Sequence, residues 1–468
     1  HPDSLDLGDE NVWKNIFQSG KFAGVFQFSQ DGAQDLCKRV KPANIIDLSA
    51  ITSIYRPGPL SAEVDKNYVS AKNNPLDIKY IHPIVREVTE STYGFLIFQE
   101  QIAILAHKLG ENVSLDEGNM LRKLLTKKGS TKGYNKKAEI HDKFIRGCVQ
   151  KDIAKRDAEK LWSTFEYFSG YGFNKSHAIS YCFISYQCAW LLNYYPDEWL
   201  AAFLDKEPES RKETAINIAK SFGYKIEPMN VNISDTTWLV SEDGKSLVQP
   251  LTSVKGLGEK AVEQIVAHRP FAAIEDFLFH EEISYSKLNK KAIDVLVRSQ
   301  ALNCLMDDRF SGLKHFWSCV AVDRPKSLKK FKENVTLYEP EGDFTEEEKI
   351  EFLASLTGGF PIHKVASPEL IRRLEERCVP PISSFDTDLQ IAWFIPRKIN
   401  VKKTKHGKEY WIVEVIDSDN KVTKIKCWGV RPEKDIIFLN RPYMSKLEYS
   451  EQWGFSTRSI RHNFKLLA

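Results

Sequence analysis

Apolar residues recur at helical spacing from about residue 10 to residue 205, so this stretch is predicted to form one large, mainly α-helical unit. In the run AEKLWSTFEYF, for example, Leu161, Phe165 and Phe168 follow one another at steps of four and three. Glycine and proline interrupt the pattern in YRPGPL at 55–60, in TYGF at 92–95 and in SGYGFNKSH at 169–177. These interruptions predict loops between the helices.

The pattern changes twice along the rest of the chain. A short hairpin is predicted at 237–254, closed by Asp243-Gly244, and is followed by two helices that flank VKGLGEKAVEQIV and by a further helix at 287–303. Residues 306–350 combine DRPKSLKKFKE with the acidic EEEK and are interpreted as a boundary region. From about residue 388, apolar and polar residues alternate, as in KEYWIVEVIDSDNKVTKIKCW, which predicts a small β domain.

Composition and charge exclude several classes of protein. The 66 Lys and Arg against 63 Asp and Glu give a formal charge of +3, and 42% of the residues are hydrophobic, as in a soluble chain of about three domains. The eight cysteines form no CxxC pair, which disfavours a zinc ribbon or a secreted disulfide scaffold and fits a reducing cytoplasm. The first residue is His1 and no signal peptide follows it, so we expect a processed product or the later part of something longer.

Residues 178–196 carry no charge and are rich in aromatic residues, as a membrane span is. Ser180, Ser185, Gln187 and Asn193 interrupt the apolar run, however, and Pro196 ends it. We therefore expect a helix that is buried on most of its sides, with no membrane contact.

The strongest asymmetry of charge lies between Arg122 and Lys137, where sixteen residues hold seven Lys or Arg and no acid. On a helix, Arg122 and Lys123 lie about one turn ahead of Lys127, so these charges would project together towards phosphate groups. A solvated basic face is the alternative interpretation.

Two glycine-containing loops could also approach a ligand. The first, from Gly170 to His177, combines glycines with aromatic and polar residues before the uncharged helix, although its aromatic rings could equally fill the core. The second, VKGLGEKAV at 254–262, has the hydrophobe-Gly-hydrophobe-Gly pattern of a helix-hairpin-helix turn, which presents backbone N–H groups to a DNA phosphate. A plain interhelical turn is the alternative for this segment.

The β domain has its own basic cluster around the His406-Gly407 turn. Its members, all within twelve residues that contain no acid, are Arg397, Lys398, Lys402, Lys403, Lys405 and Lys408. Trp411 and Trp428 could stack on bases, but strand tryptophans also fill barrel cores. The cluster predicts binding of single-stranded DNA.

Taken in order and spacing, these segments resemble the fingers region of bacterial-type C-family replicative DNA polymerases, the alpha subunit of DNA polymerase III. The resemblance is carried by GVFQFSQDGAQDLCKRVKP, SAITSIYRPGPL, YGFLIFQEQIAILAHKLG, LRKLLTKKG and SGYGFNKSHAISYCFISYQCAWL, and it continues through the helix-hairpin-helix segment and KLNKKAIDVLVRSQALNCL. It implies a multidomain chain with a mainly α fingers domain, a small α helix-hairpin-helix module, a connector and a C-terminal β barrel of the OB type. The expected ranges are 1–205, 206–305, 306–384 and 385–468.

The resemblance also implies a role in binding the incoming deoxynucleoside triphosphate (dNTP) and primer-template DNA. The nucleotide-binding residues that it implies are Arg56, Gln99, Glu100, Gln101, Arg122, Lys123, Lys127, Lys128, Tyr171, Gly172, Phe173, Asn174, Lys175, Ser176 and His177. The expected DNA-binding residues are Lys255, Gly256, Leu257, Gly258, Lys260, Lys402, Lys403, Lys405 and Lys408. The chain departs from the family at Lys123, where Arg is usual, and at Thr126, where Gly is usual.

In the family, the palm domain with its metal-binding aspartates precedes the segment that this chain resembles, so no catalytic or metal-binding residue is expected here. Mg²⁺ is implied as a cofactor held by that palm, and a second polypeptide with palm and thumb is the expected partner, without which the chain should be inactive. Asp386 and Asp388, and Asp417 and Asp419, are interpreted as structural residues of turns. A sliding clamp is a further candidate partner, although no clamp-binding pentapeptide is evident and Ser327 to Phe331 is a poor substitute.

A second function stays open at this point. A non-catalytic DNA-binding protein could be built from helix-hairpin-helix and OB modules alone, since these suffice to bind single strands. The ordered fingers motifs favour the polymerase.

Overall fold

The chain is described by a computed structural model, which covers residues 2–56, 59–60, 63–126, 131–168, 172–208, 211–338, 342–357, 360, 362–418, 422–450 and 453–467. Two compact units are present, His1–Leu200 and Ala201–Ala468. The finer division into four domains stays a prediction. None of the described helices is both long and apolar enough to cross a membrane.

The first unit is helical, as the spacing of its apolar residues predicts. Its helices are α1 (Glu10–Val12, continued by π turns over Trp13–Gln18), α2 (Asp31–Val40), α3 (Ile45–Ile54), α4 (Val64–Asn73), α5 (Pro83–Thr89), α6 (Gln99–Leu109), α7 (Leu115–Thr126), α8 (Thr131–Gln150), α9 (Lys155–Phe168) and α10 (Lys175–Tyr194). The next helix, α11 (Pro196–Lys206), begins in this unit and ends in the second. Phe144, Trp162 and Phe165 are buried where α8 packs against α9, with ring centroids 5.3 to 6.0 Å apart. Burial of such aromatic rings stabilises the frame that holds the loops.

An ion pair is buried inside this unit. The Lys72 ammonium lies 2.6 Å from Asp47 Oδ2 and donates to the Tyr93 hydroxyl at 3.0 Å, and Tyr93 in turn donates to Asp47 Oδ1 at 3.1 Å. Asp47 also accepts from the backbone N–H of Ala43 at 3.0 Å. The carboxylate is therefore compensated by several donors, as a buried charge must be.

The uncharged helix α10 differs from the expectation drawn from the sequence. Ala178, Cys182, Tyr186 and Ala189 are buried along one face. On the opposite side, Phe183, Ile184 and Leu191 are exposed, at 39%, 45% and 39% of their surface. The expectation of a helix buried on most of its sides is wrong, because composition reports how apolar a helix is and not how many of its faces are covered.

The second unit begins with helices and a small sheet. Its helices are α12 (Lys212–Ser221), α13 (Glu259–His268), α14 (Ile274–Phe279), α15 (Lys290–Arg298), α16 (Leu313–Trp317), α17 (Leu328–Leu337), α18 (Glu346–Thr357), α19 (Ile362–Val365), α20 (Pro368–Glu376) and α21 (Ile460–Asn463). The predicted hairpin is present, with strands β2 (Leu239–Val240) and β3 (Ser246–Val248) antiparallel and β1 (Lys225–Glu227) parallel to β3. One of the two helices expected beside the GLG turn is only a 3₁₀ turn, Leu251–Ser253.

The C-terminal part of this unit is a curled sheet of seven strands, which confirms the predicted OB-type β domain. The strands are β4 (Ile391–Lys403), β5 (Glu409–Ile416), β6 (Thr423–Cys427), β7 (Tyr443–Lys446), β8 (Glu448–Ser450), β9 (Gly454–Thr457) and β10 (Lys465–Leu466), in the order β10-β7-β4-β5-β6-β9-β8. Strand β4 pairs with both β5 and β7, and a bulge between Pro396 and Lys398 bends it from one neighbour to the other. Phe394, Val413 and Ile425 are buried inside the curl.

Candidate functional site

Two helices of the first unit begin at the same point. Residues Phe98 and Phe173 form a parallel bridge, in which the Gln99 N–H donates to the Phe173 carbonyl at 2.9 Å and the Phe173 N–H donates to the Ile97 carbonyl at 3.1 Å. Helix α6 starts directly after the first strand residue and α10 starts two residues after the second. The positive ends of two helix dipoles therefore lie side by side, an arrangement that favours anions.

Side chains fix both helix starts. Asn174 caps α10, since its Oδ1 accepts from the His177 N–H at 2.8 Å and from the Ser176 hydroxyl at 2.8 Å. Gln101 fixes α6, since its Oε1 accepts from the Ile97 and Phe98 N–H groups at 2.8 and 2.9 Å. Gln101 is only 4% exposed, so it holds the loop in place and is not open to a ligand.

Arg122 of α7 reaches the same point. Its Nη1 donates to Gln99 Oε1 at 3.2 Å and lies 3.8 Å from Glu100 Oε1. Gln99 is held in turn, because its Nε2 donates to the Gly172 carbonyl at 2.7 Å. A Cβ on Gly172 would lie 2.9 Å from Gln99 Cγ and 2.9 Å from a ring carbon of Phe168, so this close approach requires glycine.

The carboxylate of Glu100 occupies the start of α10. Its Oε1 accepts from Asn174 Nδ2 at 2.8 Å and its Oε2 accepts from the Lys175 N–H at 3.0 Å. An anionic group of this chain therefore already takes the hydrogen bonds that a helix N-terminus offers to phosphate. The Lys175 ammonium lies nearby, 5.6 Å from the centre of the Phe98 ring.

Aromatic rings and a second guanidinium, that of Arg56, lie beside the Phe98–Phe173 bridge. The Arg56 guanidinium lies 3.8 Å from the centre of the Phe173 ring, in the range of a cation–π contact. The exposed His177 ring lies between Phe173 and Tyr181, at centroid distances of 5.4 and 4.3 Å. The structure thus brings Arg56 and Arg122 to the loop that contains Phe173, although they lie far apart in the sequence.

The basic run is only partly available to a ligand. Lys123 is exposed on α7, whereas Lys127, Lys128 and Tyr171 lie outside the described residues. Acids from other helices meet the end of the run, since Lys136 lies 3.1 Å from Glu117 and Lys137 lies 2.6 Å from Glu166. The last lysines of the run are therefore ion-paired, although the run itself contains no acid.

The GLG turn of the second unit has an open outer side. Gly256 adopts a φ of +91°, a left-handed conformation that favours glycine, and Leu257 is buried in the core. Gly258 caps α13, and a Cβ built on it meets nothing within 4 Å. Lys255 and Lys260 are exposed, so two cations lie beside a helix N-terminus that a phosphate could approach.

Sequence analysis missed Lys291 at this turn. Its Cε lies 3.4 Å from the position that a Cβ on Gly256 would take, and the side chain is exposed. Lys290 and Lys291 form the first turn of α15, where the helix dipole disfavours cations. Two lysines directly after the cap residue Asn289 were the signal that could have identified this basic position.

The outer face of the curled sheet combines lysines with aromatic rings. Lys402 of β4 lies opposite Tyr410 of β5, and the Tyr410 ring is stacked on Trp428 with centroids 4.5 Å apart. The Lys426 ammonium lies 5.1 Å from the ring of Trp453, which is 65% exposed. Sequence analysis missed Tyr410, Lys426 and Trp453. Strand alternation with the buried Trp411 and Cys427 could have placed Tyr410 and Lys426 outward, whereas Trp453 lies in a turn before β9.

The remaining residues of the basic cluster divide into two groups. Lys403, Lys405 and Lys408 are exposed near the turn, with Lys403 3.6 Å from Glu409. Arg397 instead packs its guanidinium 3.8 Å from the Phe360 ring and contacts Asn440. Trp411 is 8% exposed and belongs to the barrel core.

No group of three or more His, Cys, Asp or Glu side chains that could hold a metal ion occurs in the part of the chain that the structure describes. Asp386 accepts from the Asp388 N–H at 2.7 Å, and the buried Asp417 accepts from the Ser383 N–H at 2.6 Å. Both carboxylates therefore have structural hydrogen bonds. Asp419 lies outside the described residues.

Comparison with known proteins shows what parts of both units are similar to. Residues 1–152 match the family model of the bacterial DNA polymerase III alpha subunit finger domain, and residues 223–311 match that of the helix-hairpin-helix motif. The chain is 28% identical to DNA polymerase III subunit alpha of Aquifex aeolicus over 94% of its own length, which is 38% of that relative. It is 32% identical to the protein of the same name from Borreliella burgdorferi over 68% of this chain and 28% of the relative. The chain thus spans well under half the length of these curated relatives.

Proposed function

Because the chain belongs to the bacterial-type C-family DNA polymerases and matches the C-terminal part of their DNA polymerase III alpha subunits, we propose that it binds the incoming dNTP and primer-template DNA during template-directed synthesis. The observation that carries this proposal is the convergence of two helix N-termini with Arg122 and Lys175 at the Phe98–Phe173 bridge.

A triphosphate matches this arrangement in charge. It carries about four negative charges near neutral pH, and helix N-termini, guanidinium and ammonium groups each stabilise phosphate oxygens. Arg122 and Lys175 would bind the phosphates, and Gln99 would keep Arg122 in position through its bonds to Arg122 and Gly172. Arg56, Phe173 and His177 would border the sugar and base, together with Tyr171.

The nucleotide must compete with Glu100 in this arrangement. Its carboxylate accepts hydrogen bonds from Asn174 and Lys175 that a phosphate oxygen would accept. The side chain is about one third exposed, at 31%, and can turn away towards water. We therefore assign Glu100 the role of a carboxylate that fills the empty anion site and leaves when the nucleotide binds.

Among the described residues, no three or more His, Cys, Asp or Glu side chains are grouped so that they could hold Mg²⁺. We propose that the metal-binding aspartates belong to the palm, in the part of the polymerase that this chain does not match. The role of this chain is then to bind and orient the substrate. Binding in this way lowers the barrier by fixing the reacting groups in position.

DNA would be bound at two further places. The GLG turn, with Lys255, Lys260 and Lys291, would bind backbone phosphates of the duplex without reading its sequence. The outer face of the sheet, with Lys402, Tyr410 and Trp428, would bind single-stranded template by stacking and charge. Palm and thumb, and a sliding clamp, are the proposed protein partners, and the cytoplasm is the proposed location.

Equilibrium binding of a fluorescent dATP analogue to the purified chain tests the proposal. Lys175→Ala and Arg122→Ala should each weaken binding about 10- to 100-fold, because a hydrogen bond to a charged group contributes roughly 1.5 to 3 kcal/mol. Arg146→Ala is the matched control, since Arg146 is a surface cation of the same unit that pairs with Glu111 at 2.7 Å. Duplex affinity should be unchanged in all three variants.

Primer extension gives a second test. We expect the chain alone to extend no primer, and extension to appear when the palm-containing polypeptide of the same polymerase is added. The proposal is wrong if Lys175→Ala and Arg122→Ala lower duplex affinity and leave nucleotide binding unchanged, since the cluster would then be a DNA groove.

A further inference from the structure

Arg324 is a buried cation without a carboxylate partner. The residue is only 7% exposed, and none of the acidic side chains that the structure describes forms an ion pair with it. Its Nη1 donates to the Tyr285 carbonyl at 3.3 Å, and its buried Nε has no acceptor among the described residues. Burial lowers the pKa of the guanidinium, because these contacts do not replace the lost water. Since a buried charge is normally paired with an opposite one, this residue is suited to receive an anion.

The Arg324 side chain is held in a fixed position. Its guanidinium lies 3.9 Å from the centre of the Tyr285 ring, which is 44% exposed. The backbone directly before it is fixed by Asn334, whose Nδ2 donates to the Asp323 carbonyl at 2.8 Å. The Asp323 carboxylate is 51% exposed and lies 3.6 Å from the Lys330 ammonium, so it does not neutralise Arg324. A planar guanidinium held in this way beside an exposed ring has the geometry that binds phosphate.

Further cations flank the Arg324–Tyr285 pair. The Lys326 ammonium lies 6.0 Å from the centre of the Tyr285 ring, and both Lys326 and Lys287 are exposed. Neither lysine forms an ion pair with a residue in the part of the chain that the structure describes. Cations without acidic neighbours attract an anion that carries several charges, as the backbone of a nucleic acid does.

This pair lies near the GLG turn of the same unit. Tyr285 follows Ser284, whose N–H donates at 3.2 Å to Gln264 Oε1 on α13, the helix that starts at the turn. Tyr285 also lies six residues before Lys291, which borders the turn, so the two are at most about 20 Å apart. A duplex carries roughly one phosphate per 3.4 Å of each strand. A duplex bound at the turn therefore presents several further phosphates over this distance.

We infer that Arg324, together with Tyr285 and Lys326, binds a backbone phosphate of the duplex DNA held at the GLG turn. The inference rests on the proposed binding of duplex DNA at that turn and adds a second place of contact. A carboxylate of an acidic protein would also neutralise the guanidinium, but the exposed and unpaired lysines on both sides favour an extended polyanion. Because the contact is to the backbone, it does not depend on the sequence of the DNA.

Fluorescence anisotropy of the full chain with a labelled duplex, measured at several salt concentrations, tests this inference. Arg324→Met removes the charge and should lower duplex affinity about 10-fold, because it deletes one charge-assisted contact. The slope of log affinity against log salt concentration should fall by roughly 0.9, the value for one phosphate. Lys326→Ala changes only an exposed side chain and should weaken duplex binding about threefold.

Thermal unfolding without DNA separates this role from a structural one. Arg324→Met should lose no stability, because an apolar side chain of similar size replaces a buried charge that has no partner. Arg298→Met is the matched control, since Arg298 also packs on an aromatic ring, that of Phe352 at 5.3 Å, but donates to Asp294 at 3.0 Å. This control should lose stability and keep the duplex affinity of the wild type.

Gly258→Val separates the inference from the proposed function. If Gly258→Val weakens duplex binding while Arg324→Met and Lys326→Ala do not, the inference is wrong and the proposed function stands. If the wild-type chain binds no duplex, both are wrong. With equal duplex affinities, inorganic phosphate that stabilised the wild type but not Arg324→Met would overturn the inference in favour of a free anion. Binding of a polyglutamate peptide that Arg324→Met alone abolished would overturn it in favour of an acidic protein.

Discussion

Replacing Glu100 by glutamine should lower the stability of the chain and at the same time tighten its binding of a dNTP. The change keeps the size of the side chain and removes its charge. In the structure the carboxylate accepts one hydrogen bond from Asn174 Nδ2 and one from the Lys175 N–H. A glutamine side chain can accept only through its single oxygen, so one of these two donors loses its acceptor.

The two effects can be sized from the structure. A hydrogen bond to a charged group contributes roughly 1.5 to 3 kcal/mol, and exposure of 31% of the side chain reduces this loss to about 1 kcal/mol. For the nucleotide, the Glu100 carboxylate has to give up these hydrogen bonds before a phosphate can accept them, which opposes binding by about the same 1 kcal/mol. Its removal should therefore lower the dissociation constant about fivefold.

Thermal unfolding and titration with a fluorescent dATP analogue measure the two quantities on the same sample. Glu111→Gln is the control, because Glu111 has the same exposed fraction of 31% and also accepts two hydrogen bonds, from Arg146 and Gln150 at 2.7 Å each. This control should lose similar stability and leave the dissociation constant unchanged. A weaker affinity in Glu100→Gln would refute the reasoning, since Glu100 would then serve to position Arg122 for the nucleotide.

Three further outcomes follow from the described contacts. The hydrogen bond from Lys143 lowers the pKa of Glu117 to about 2. The stability that this carboxylate contributes should therefore be present above about pH 4.5 and lost as the pH falls towards 2. In acid denaturation, the free energy of unfolding of Glu117→Gln should fall by on the order of 2 kcal/mol less than that of the wild type over this range. Gly258→Val should weaken duplex binding at least fivefold, with little loss of stability because its Cβ meets no atom, and it should reduce the steepness of the salt dependence; unchanged duplex affinity would contradict a phosphate contact at this turn. Trp428→Ala should lower the affinity for single-stranded oligonucleotides by roughly 1 to 3 kcal/mol and leave duplex binding at the turn unchanged, as fluorescence anisotropy with both ligands would show.

Local patterns in the sequence were sufficient to predict whether each region is helical or a β-sheet. Helical spacing and strict alternation are properties of short windows, so the helical first unit and the seven-stranded sheet were both predictable. The GLG pattern likewise located its own turn. The 3₁₀ turn in place of a helix at Leu251–Ser253 was not predictable, because three residues carry too weak a pattern to separate a 3₁₀ turn from an α-helix.

Contacts between distant segments were beyond the reach of these patterns. Gln99 and the Gly172 carbonyl are 73 residues apart, and their hydrogen bond depends on how α6 and α10 pack. The two tryptophans of the sheet show the same limit. Trp411 pairs with Cys427 and faces the core, whereas Trp428 follows on the outer face, and only the register between strands separates these two outcomes.

The bridge between Phe98 and Phe173 has a mechanical consequence. It fastens the starts of α6 and α10 to each other through two backbone hydrogen bonds, so neither helix can tilt at that end without the other. Helix α10 has 20 residues and is about 30 Å long. A tilt of about 5° at the bridge therefore moves its far end by two to three ångströms, roughly the length of a hydrogen bond. Any tilt of α10 at Lys175 would in this way be enlarged at Tyr194, at the far end of the helix.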